Sequence, residues 1–216
     1  MNKIVITTGI FPPEIGGPAS YAKTLANKLK DYGVTVLTYS PVLSFKDDKN
    51  QPYKIVRVWS KWPKGLKHII YLFKAISLAK KSDVVFALNA VSAGVPAMYA
   101  AKMAKKKFFV KIVGDYAWEI AVQSGKTPFL INDFQNQIHK GWIKKLHETQ
   151  LTVARQAHGV IVPSNYLAGL VTGWGVDSSR VKVIYNGVEF KSSDLSKEAA
   201  RKKIGIPGTI ITTAGR

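Results

Sequence analysis

The chain has 216 residues, 46% of them hydrophobic, and 32 Lys and Arg against 13 Asp and Glu give it a net charge of +19. That length and composition suffice for one sizeable α/β core. No apolar run reaches the ~18 residues of a membrane-spanning helix, a single Lys3 ahead of a strand-like run does not read as a signal peptide, and the lack of cysteine excludes disulfides, thiolate metal sites and a cysteine nucleophile.

The first strand is predicted at 3–8, followed by the loop Phe11-Pro-Pro-Glu-Ile-Gly-Gly17. Tyr21, Leu25 and Leu29, spaced by four with Ala22 and Ala26 beside them, predict a helix. Strands follow at 34–39 and 54–59. Leu66, Ile69, Ile70, Phe73, Ile76 and Leu78 give a helical rhythm through 66–81. A strand at 83–88 precedes small residues at 92–104, which suit a helix packed closely on a sheet. A strand at 107–113, a long helix at about 134–157, a strand at 159–163, a short helix at 165–172 and a strand at 181–185 complete the alternation. Ser192-Ser193-Asp194 is read as the cap of a helix running to about Lys203. Gly205-Ile-Pro-Gly208 then turns the chain into a last apolar run.

The strand candidates are rich in Val, Ile and Phe, and several are nearly continuous apolar runs, as parallel strands buried on both faces require. The alternation predicts an α/β fold: a single Rossmann-like, doubly wound parallel sheet. Residues 1–204 are expected to form this domain. Residues 205–216 are read as a linker and the first strand of a second domain, so that the chain would be half of a two-domain enzyme.

In such a sheet, ligands bind beyond the carboxyl ends of the strands. Gly16 and Gly17 let backbone N–H groups approach an anion, and the helix that follows adds a partial positive charge. Taken alone, the pair reads first as a tight turn. Neither GxGxxG nor GxxxxGK[ST] is present. The histidines His68, His139, His147 and His158 sit at no metal-ligand spacing and are read as solvated or capping groups.

Four blocks in order carry a family resemblance: PPEIGGPASYAKTLANKLKDYGVTVLT near the start, Val110-Lys-Ile-Val-Gly-Asp-Tyr-Ala-Trp-Glu119, Ala157-His-Gly-Val-Ile-Val-Pro-Ser-Asn-Tyr166, and Val181-Lys-Val-Ile-Tyr-Asn-Gly-Val-Glu189, with Ala-Gly-Arg216 at the end. This pattern resembles family 4 glycosyltransferases, retaining enzymes of the two-domain GT-B fold. The resemblance implies that Gly16 and Gly17 lie against the diphosphate of a nucleotide-sugar donor and that Arg216 neutralises its phosphates. It places Asp115 and Glu119 at the catalytic cleft, where many relatives carry a histidine and this chain has Ile112-Val113-Gly114. Asp115 is alternatively a helix cap. Ser164 is a cap or a cleft contact, and Asn186, with Gly187, a turn or a cleft contact. The resemblance implies no cofactor. No DxD occurs, Asp47-Asp48 being followed by Lys49, and GT-B enzymes generally stabilise the leaving diphosphate with basic side chains and helix dipoles rather than a metal. It also implies that the piece transfers no sugar alone. A GT-B epimerase or phosphorylase matches the four blocks less well.

Charge is uneven: residues 49–114 hold fourteen basic residues and one acid, Asp83. Such a surface favours anionic partners. Trp59, Lys61, Trp62, Lys64 and Lys67 mix cations with aromatics in a way that suits an anionic membrane. The apolar residues of 66–78 are read as core. With a lipid-linked or cell-envelope glycan as acceptor, the expected location is cytoplasmic, peripheral on the inner face of the cell membrane. The reading of a different class is a non-catalytic basic module for an anionic partner such as nucleic acid, for which no RNP, KH or helix-turn-helix signature is present.

Overall fold

The structure, a computed structural model, describes residues 2–187 and 194–212, the side chain of Lys64 excepted. It divides into two compact units, Met1–Tyr185 and Asn186–Arg216. The division falls earlier than the 204/205 boundary expected from sequence.

The first unit is built on seven strands: β1 (Lys3–Thr8), β2 (Gly33–Ser40), β3 (Lys54–Trp59), β4 (Val84–Ala87), β5 (Lys107–Lys111), β6 (Gly159–Val162) and β7 (Val181–Val183). All pair in parallel, in the order β3-β2-β1-β4-β5-β6-β7. All seven expected strands are present, and the sheet is the Rossmann-like one predicted. Strand order reverses between β1 and β4, so the chain leaves these neighbours in opposite directions and opens a crevice at their carboxyl ends.

The helices are α1 (Gly17–Lys28), α2 (Lys64–Ala79), α3 (Gly94–Ala104), α4 (Tyr116–Gln123), α5 (Ile131–Gln135), α6 (Gly141–Gln156) and α7 (Asn165–Gly173), with a 3-10 turn at Lys46–Asn50. Strand alternation sends Leu37, Val85, Val110 and Val160 into a core with Tyr71 and Ala75 of α2, Ala97 of α3, Val153 of α6 and Val171 of α7. The intervening positions Ile6, Val36 and Phe86 face Ala22 and Ala26 of α1 in a second core. Thus α1 packs on one face of the sheet, and α2, α3, α6 and α7 on the other.

The single long helix expected at 134–157 is two. Gly141 adopts a left-handed φ of 57°, which the preceding residues cannot continue as helix. Between the pieces, His139 stacks on Phe134 at 4.1 Å and meets His147 edge-on at 4.8 Å. These histidines are therefore ring-packing groups rather than solvated ones. Burial pushes the His147 pKa down, which favours the neutral ring, and the Nε2 atoms of both are buried without a hydrogen-bond partner among the described residues.

In the second unit, α8 (Lys197–Ile204) is capped by Ser196, whose hydroxyl accepts from the Ala199 N–H at 3.1 Å. The expected cap at 192–194 is corrected accordingly, Ser192 and Ser193 lying outside the described residues. Gly205, at a φ of 71°, ends the helix. Residues 209–212 form no strand.

The start of α3 needs a glycine where it meets the β4–α3 loop and α6: a Cβ at Gly94 would stand 2.5 Å from the Asn89 carbonyl oxygen and 3.2 Å from Val153 Cγ1. Gly94→Ala is expected to lower stability by about 1–3 kcal/mol, measured by urea denaturation.

Candidate functional site

The β1–α1 loop forms one wall of the crevice. Phe11 is buried beneath it, and the Glu14 N–H donates to the Phe11 carbonyl at 3.2 Å. The loop is held from below by Arg57 of β3. This guanidinium donates to both Asp48 carboxylate oxygens at 2.8 and 2.7 Å, to Ser40 Oγ at 3.0 Å and to the Pro12 carbonyl at 2.7 Å. The Arg57 side chain is 1% exposed, so the bidentate pair replaces water. Hydrogen bonding to Arg57 holds the Asp48 carboxyl below its ordinary value.

Gly16 is buried at the cap position of α1, and its carbonyl accepts from the Ser20 N–H at 3.0 Å. Gly17 is exposed, and a Cβ built on it meets nothing within 4 Å. No acidic residue lies in the first turn of α1, so no side chain of that turn offsets the positive end of its dipole.

Across the switch point, Gly9 approaches the β4–α3 loop so closely that a Cβ would stand 3.0 Å from Ser92 Oγ and 3.3 Å from Asn89 Nδ2. Asn89 Oδ1 accepts from Ser92 Oγ at 3.1 Å and from the Ala93 N–H at 3.0 Å. Tyr39, near the end of β2, stacks on Tyr71 at 4.2 Å and shares a 2.8 Å hydrogen bond with His68 Nδ1. Burial raises the Tyr39 hydroxyl well above its ordinary value and lowers the His68 imidazole, so both are neutral near pH 7. Sequence reasoning missed Asn89, Ser92, Tyr39 and this role of His68. The one local signal was the Asn-x-x-Ser spacing ahead of a helix.

Beyond β5 the two acidic candidates separate. Asp115 is 0% exposed. Its Oδ1 accepts from the Trp118 N–H at 3.0 Å and Gln150 Nε2 at 2.6 Å, and its Oδ2 from Gln135 Nε2 at 2.7 Å. Gln150 closes the ring by accepting from the Ala117 N–H, and Gln135 accepts from Trp174 Nε1 at 2.8 Å. Asp115 is thus the cap of α4 and a tie between α4, α5 and α6. A carboxylate walled off from solvent does not reach a substrate, which corrects its placement among catalytic residues. Glu119 stays exposed and folds against Gly114, its Oε1 filling the space a side chain there would take. Although the residue as a whole is exposed, its carboxyl is half-buried against Gly114, and that desolvation, then the charge of Asp115, raise its pKa.

Lys111, at the end of β5, is 2% exposed, with its Nζ 3.6 Å from the centre of the Tyr21 ring of α1. Burial pushes its pKa down to about 8. Ser164 caps α7, its hydroxyl accepting from the Leu167 N–H at 3.2 Å. Asn186 is exposed in the second unit. Arg216 lies outside the described residues. A cavity of about 310 Å³ beside Met98, Lys102, Phe108 and His158 adjoins the amino end of β5, away from the crevice. There His158 Nδ1 accepts from the Phe108 N–H at 3.2 Å.

Two outcomes test this account. Asp115→Ala removes a cap and two side-chain bonds and is expected to cost about 2–4 kcal/mol in urea denaturation; a loss within experimental error would contradict the capping role. Because the folded pKa of Asp48 is depressed, its contribution is complete above the unfolded value of about 3.9 and is lost as pH falls through the lower folded value. The stability gap between the parent and Asp48→Asn should therefore shrink on acidification below about pH 4.

A family model described as Glycosyltransferase Family 4 matches residues 15–191. Among curated proteins, none matches the chain. Similar solved structures include Anabaena Alr3699/HepE in complex with UDP, at 17% identity and a TM-score of 0.62, covering 94% of this chain and 50% of that one. Another is Phytolacca americana UGT2 complexed with UDP-2fluoro-glucose and pterostilbene, at 13% identity and 0.54, covering 89% and 55%. A third is the UDP-GlcNAc 2-epimerase from Methanocaldococcus jannaschii, at 14% identity and 0.55, covering 84% and 45%. The chain spans about half the length of these structures, and the likeness carries the GT-B fold. The family match takes in Gly16 and Gly17, strands β2 to β7 and the Asp115–Glu119 segment, and the chain belongs to glycosyltransferase family 4.

Proposed function

We propose that the crevice is the acceptor-side half of a retaining glycosyltransferase site, which moves a sugar from a nucleotide-sugar donor to a lipid-linked or cell-envelope glycan. The observation that carries this reading is Gly17. It stands exposed in the first turn of α1, on the loop that Arg57 clamps, with open space where a side chain would go. No steric need of the fold explains a glycine there. A ligand that must come against the backbone does. The charge that develops on a leaving diphosphate suits the N-terminus of α1. The UDP and UDP-sugar complexes among the similar structures support a nucleotide-sugar as donor. The epimerase among them shows that the fold alone does not decide between transfer and epimerisation; the family match favours transfer.

On this reading a second, donor-binding domain completes the site, and Arg216 adds charge to it. With Asp115 committed to the cap of α4, Glu119 is the carboxylate left at the crevice. Its raised pKa suits proton exchange with an acceptor hydroxyl. The enzyme works in the cytoplasm, peripheral on the inner membrane face.

Two assays test the proposal. The 216-residue chain alone should transfer no sugar from UDP- or GDP-sugars above a no-enzyme control. In an enzyme carrying both domains, Gly17→Val should lower turnover at least a hundredfold, the order expected when an oxyanion contact is lost. Its melting temperature should stay near the parent's, because the added side chain meets open space. Unchanged turnover would remove Gly17 from the donor site.

A further inference from the structure

Two histidines at the α5–α6 junction take no part in the crevice chemistry. His139 lies between the two helices, and His147 lies in the second turn of α6. His139 stacks on Phe134 of α5 with ring centres 4.1 Å apart, His147 meets Phe134 edge-on at 6.0 Å, and the two imidazoles stand 4.8 Å apart. Phe134 is 1% exposed and shares a small core with Ala117 and Ala121 of α4 and Ile143 of α6, separate from the two that hold the sheet. Helix α5 has only five residues, too few to persist without packing. The three rings supply that packing.

The same rings have no place for a proton. Both Nε2 atoms are buried and lack a hydrogen-bond partner among the described residues. In a neutral imidazole one nitrogen is a bare acceptor; in the cation both carry a hydrogen. Protonation of either ring therefore leaves an N–H at a buried Nε2 with no acceptor, whichever nitrogen held the hydrogen before. A buried charged donor without a partner is costly, and two cations with ring centres 4.8 Å apart would repel. Around His147, Asp115 at the cap of α4 and Glu148 of α6 favour the cation, while His139 and Arg155 oppose it. Asp115 is committed to three donors, and Glu148 is exposed and paired with Lys144 at 3.7 Å. Burial outweighs these charges and lowers the His147 pKa.

The junction is tied to the crevice wall. Gln135, next to Phe134, donates to Asp115 Oδ2 at 2.7 Å and accepts from Trp174 Nε1 at 2.8 Å. Asn132 Oδ1 accepts from the Tyr166 hydroxyl of α7 at 2.7 Å, and the Phe129 carbonyl, just ahead of α5, accepts from Trp118 Nε1 of α4 at 2.9 Å. Displacing α5 breaks these bonds and loosens α4, which carries Glu119. We infer that His139 and His147 form a proton-operated latch: neutral, they hold α5 against α4, α6 and α7, and protonated, they free α5 and slacken the Glu119 wall of the crevice. Linkage sets the direction. A ring buried when the junction is closed and solvated when it is open takes up its proton in the open state, so closure is favoured above the ordinary histidine value of about 6.5 and weakens as pH falls through it. The latch belongs to the wall itself and holds whether or not the crevice transfers sugar.

The test is a titration of the ¹⁵N-labelled 216-residue chain from pH 7.5 to 5.0, followed through the tryptophan indole N–H signals. Trp118 and Trp174 report on α5 through the bonds above. Trp59, whose Nε1 donates to the Pro41 carbonyl at 3.1 Å beside β3, is the reference. In the parent, the Trp118 and Trp174 signals should shift or fade with a midpoint below about 6.5 while Trp59 stays in place. His139→Phe/His147→Phe keeps the rings, removes the titrating nitrogens, and should hold both signals still down to pH 5.0. His139→Gln/His147→Gln repeats the test without the added ring bulk; a circular dichroism melt at pH 7.5 verifies that each is folded. Unmoved Trp118 and Trp174 signals in the parent, or the parent's midpoint in the double variants, would overturn the latch. Loss of the Trp59 signal together with the other two would show global unfolding and overturn it as a local device.

Discussion

The crevice depends on one buried cation. Arg57 joins four stretches of chain that are distant in sequence: β3, the end of β2 through Ser40, the 3-10 turn through Asp48 and the β1–α1 loop through the Pro12 carbonyl. Taking a guanidinium and a carboxylate out of water costs several kcal/mol per ion. That cost is offset here because the fork meets both carboxylate oxygens and two further acceptors. A lysine offers no such fork. The gain is positional: the loop ending in Gly16 is fixed to the sheet, and the N-terminus of α1 is fixed with it.

A second polar centre governs the other side. Asp115 is buried among α4, α5 and α6, and its partners Gln135 and Gln150 extend the network to Trp174. A buried carboxylate of this kind sets geometry at the carboxyl end of β5, so Glu119, one turn on, lies against Gly114. Of the two carboxylates, Asp115 is taken up by the architecture and Glu119 stays on the exposed side of α4. Lys111 adds a buried charge beneath Tyr21 on the α1 face. With Arg57 neutralised by Asp48, what remains beside the crevice is the buried Lys111 and the positive end of α1.

The strands were legible because parallel strands covered on both faces leave nearly unbroken apolar runs, as in Ile4–Ile6 and Val84–Ala87. The Gly-Gly loop stood out only through the family pattern around it, because a doubled glycine taken alone is also a tight turn. Other features had no local signal. A lone Arg57 or Lys111 inside a strand reads as an outward position, and only the tertiary fold shows either one buried. Asp115 was ambiguous because a cap and a cleft carboxylate occupy the same place at a strand end. Periodicity marked α2 as a helix, but it does not reveal which apolar side a neighbour leaves uncovered. The break at Gly141 depends on a left-handed backbone and on the stacking of Phe134, His139 and His147, none of which a helical rhythm encodes.

The central claim is that the first turn of α1, clamped through Arg57, is an anion site for a nucleotide diphosphate. The most direct measurement is a titration of the ¹⁵N-labelled chain with UDP, followed by amide chemical shifts, with uridine as control. The account predicts the largest shifts at Gly16, Gly17 and Ala19, with none of comparable size from uridine. Shifts that spare this turn, or that appear equally with uridine, would contradict it.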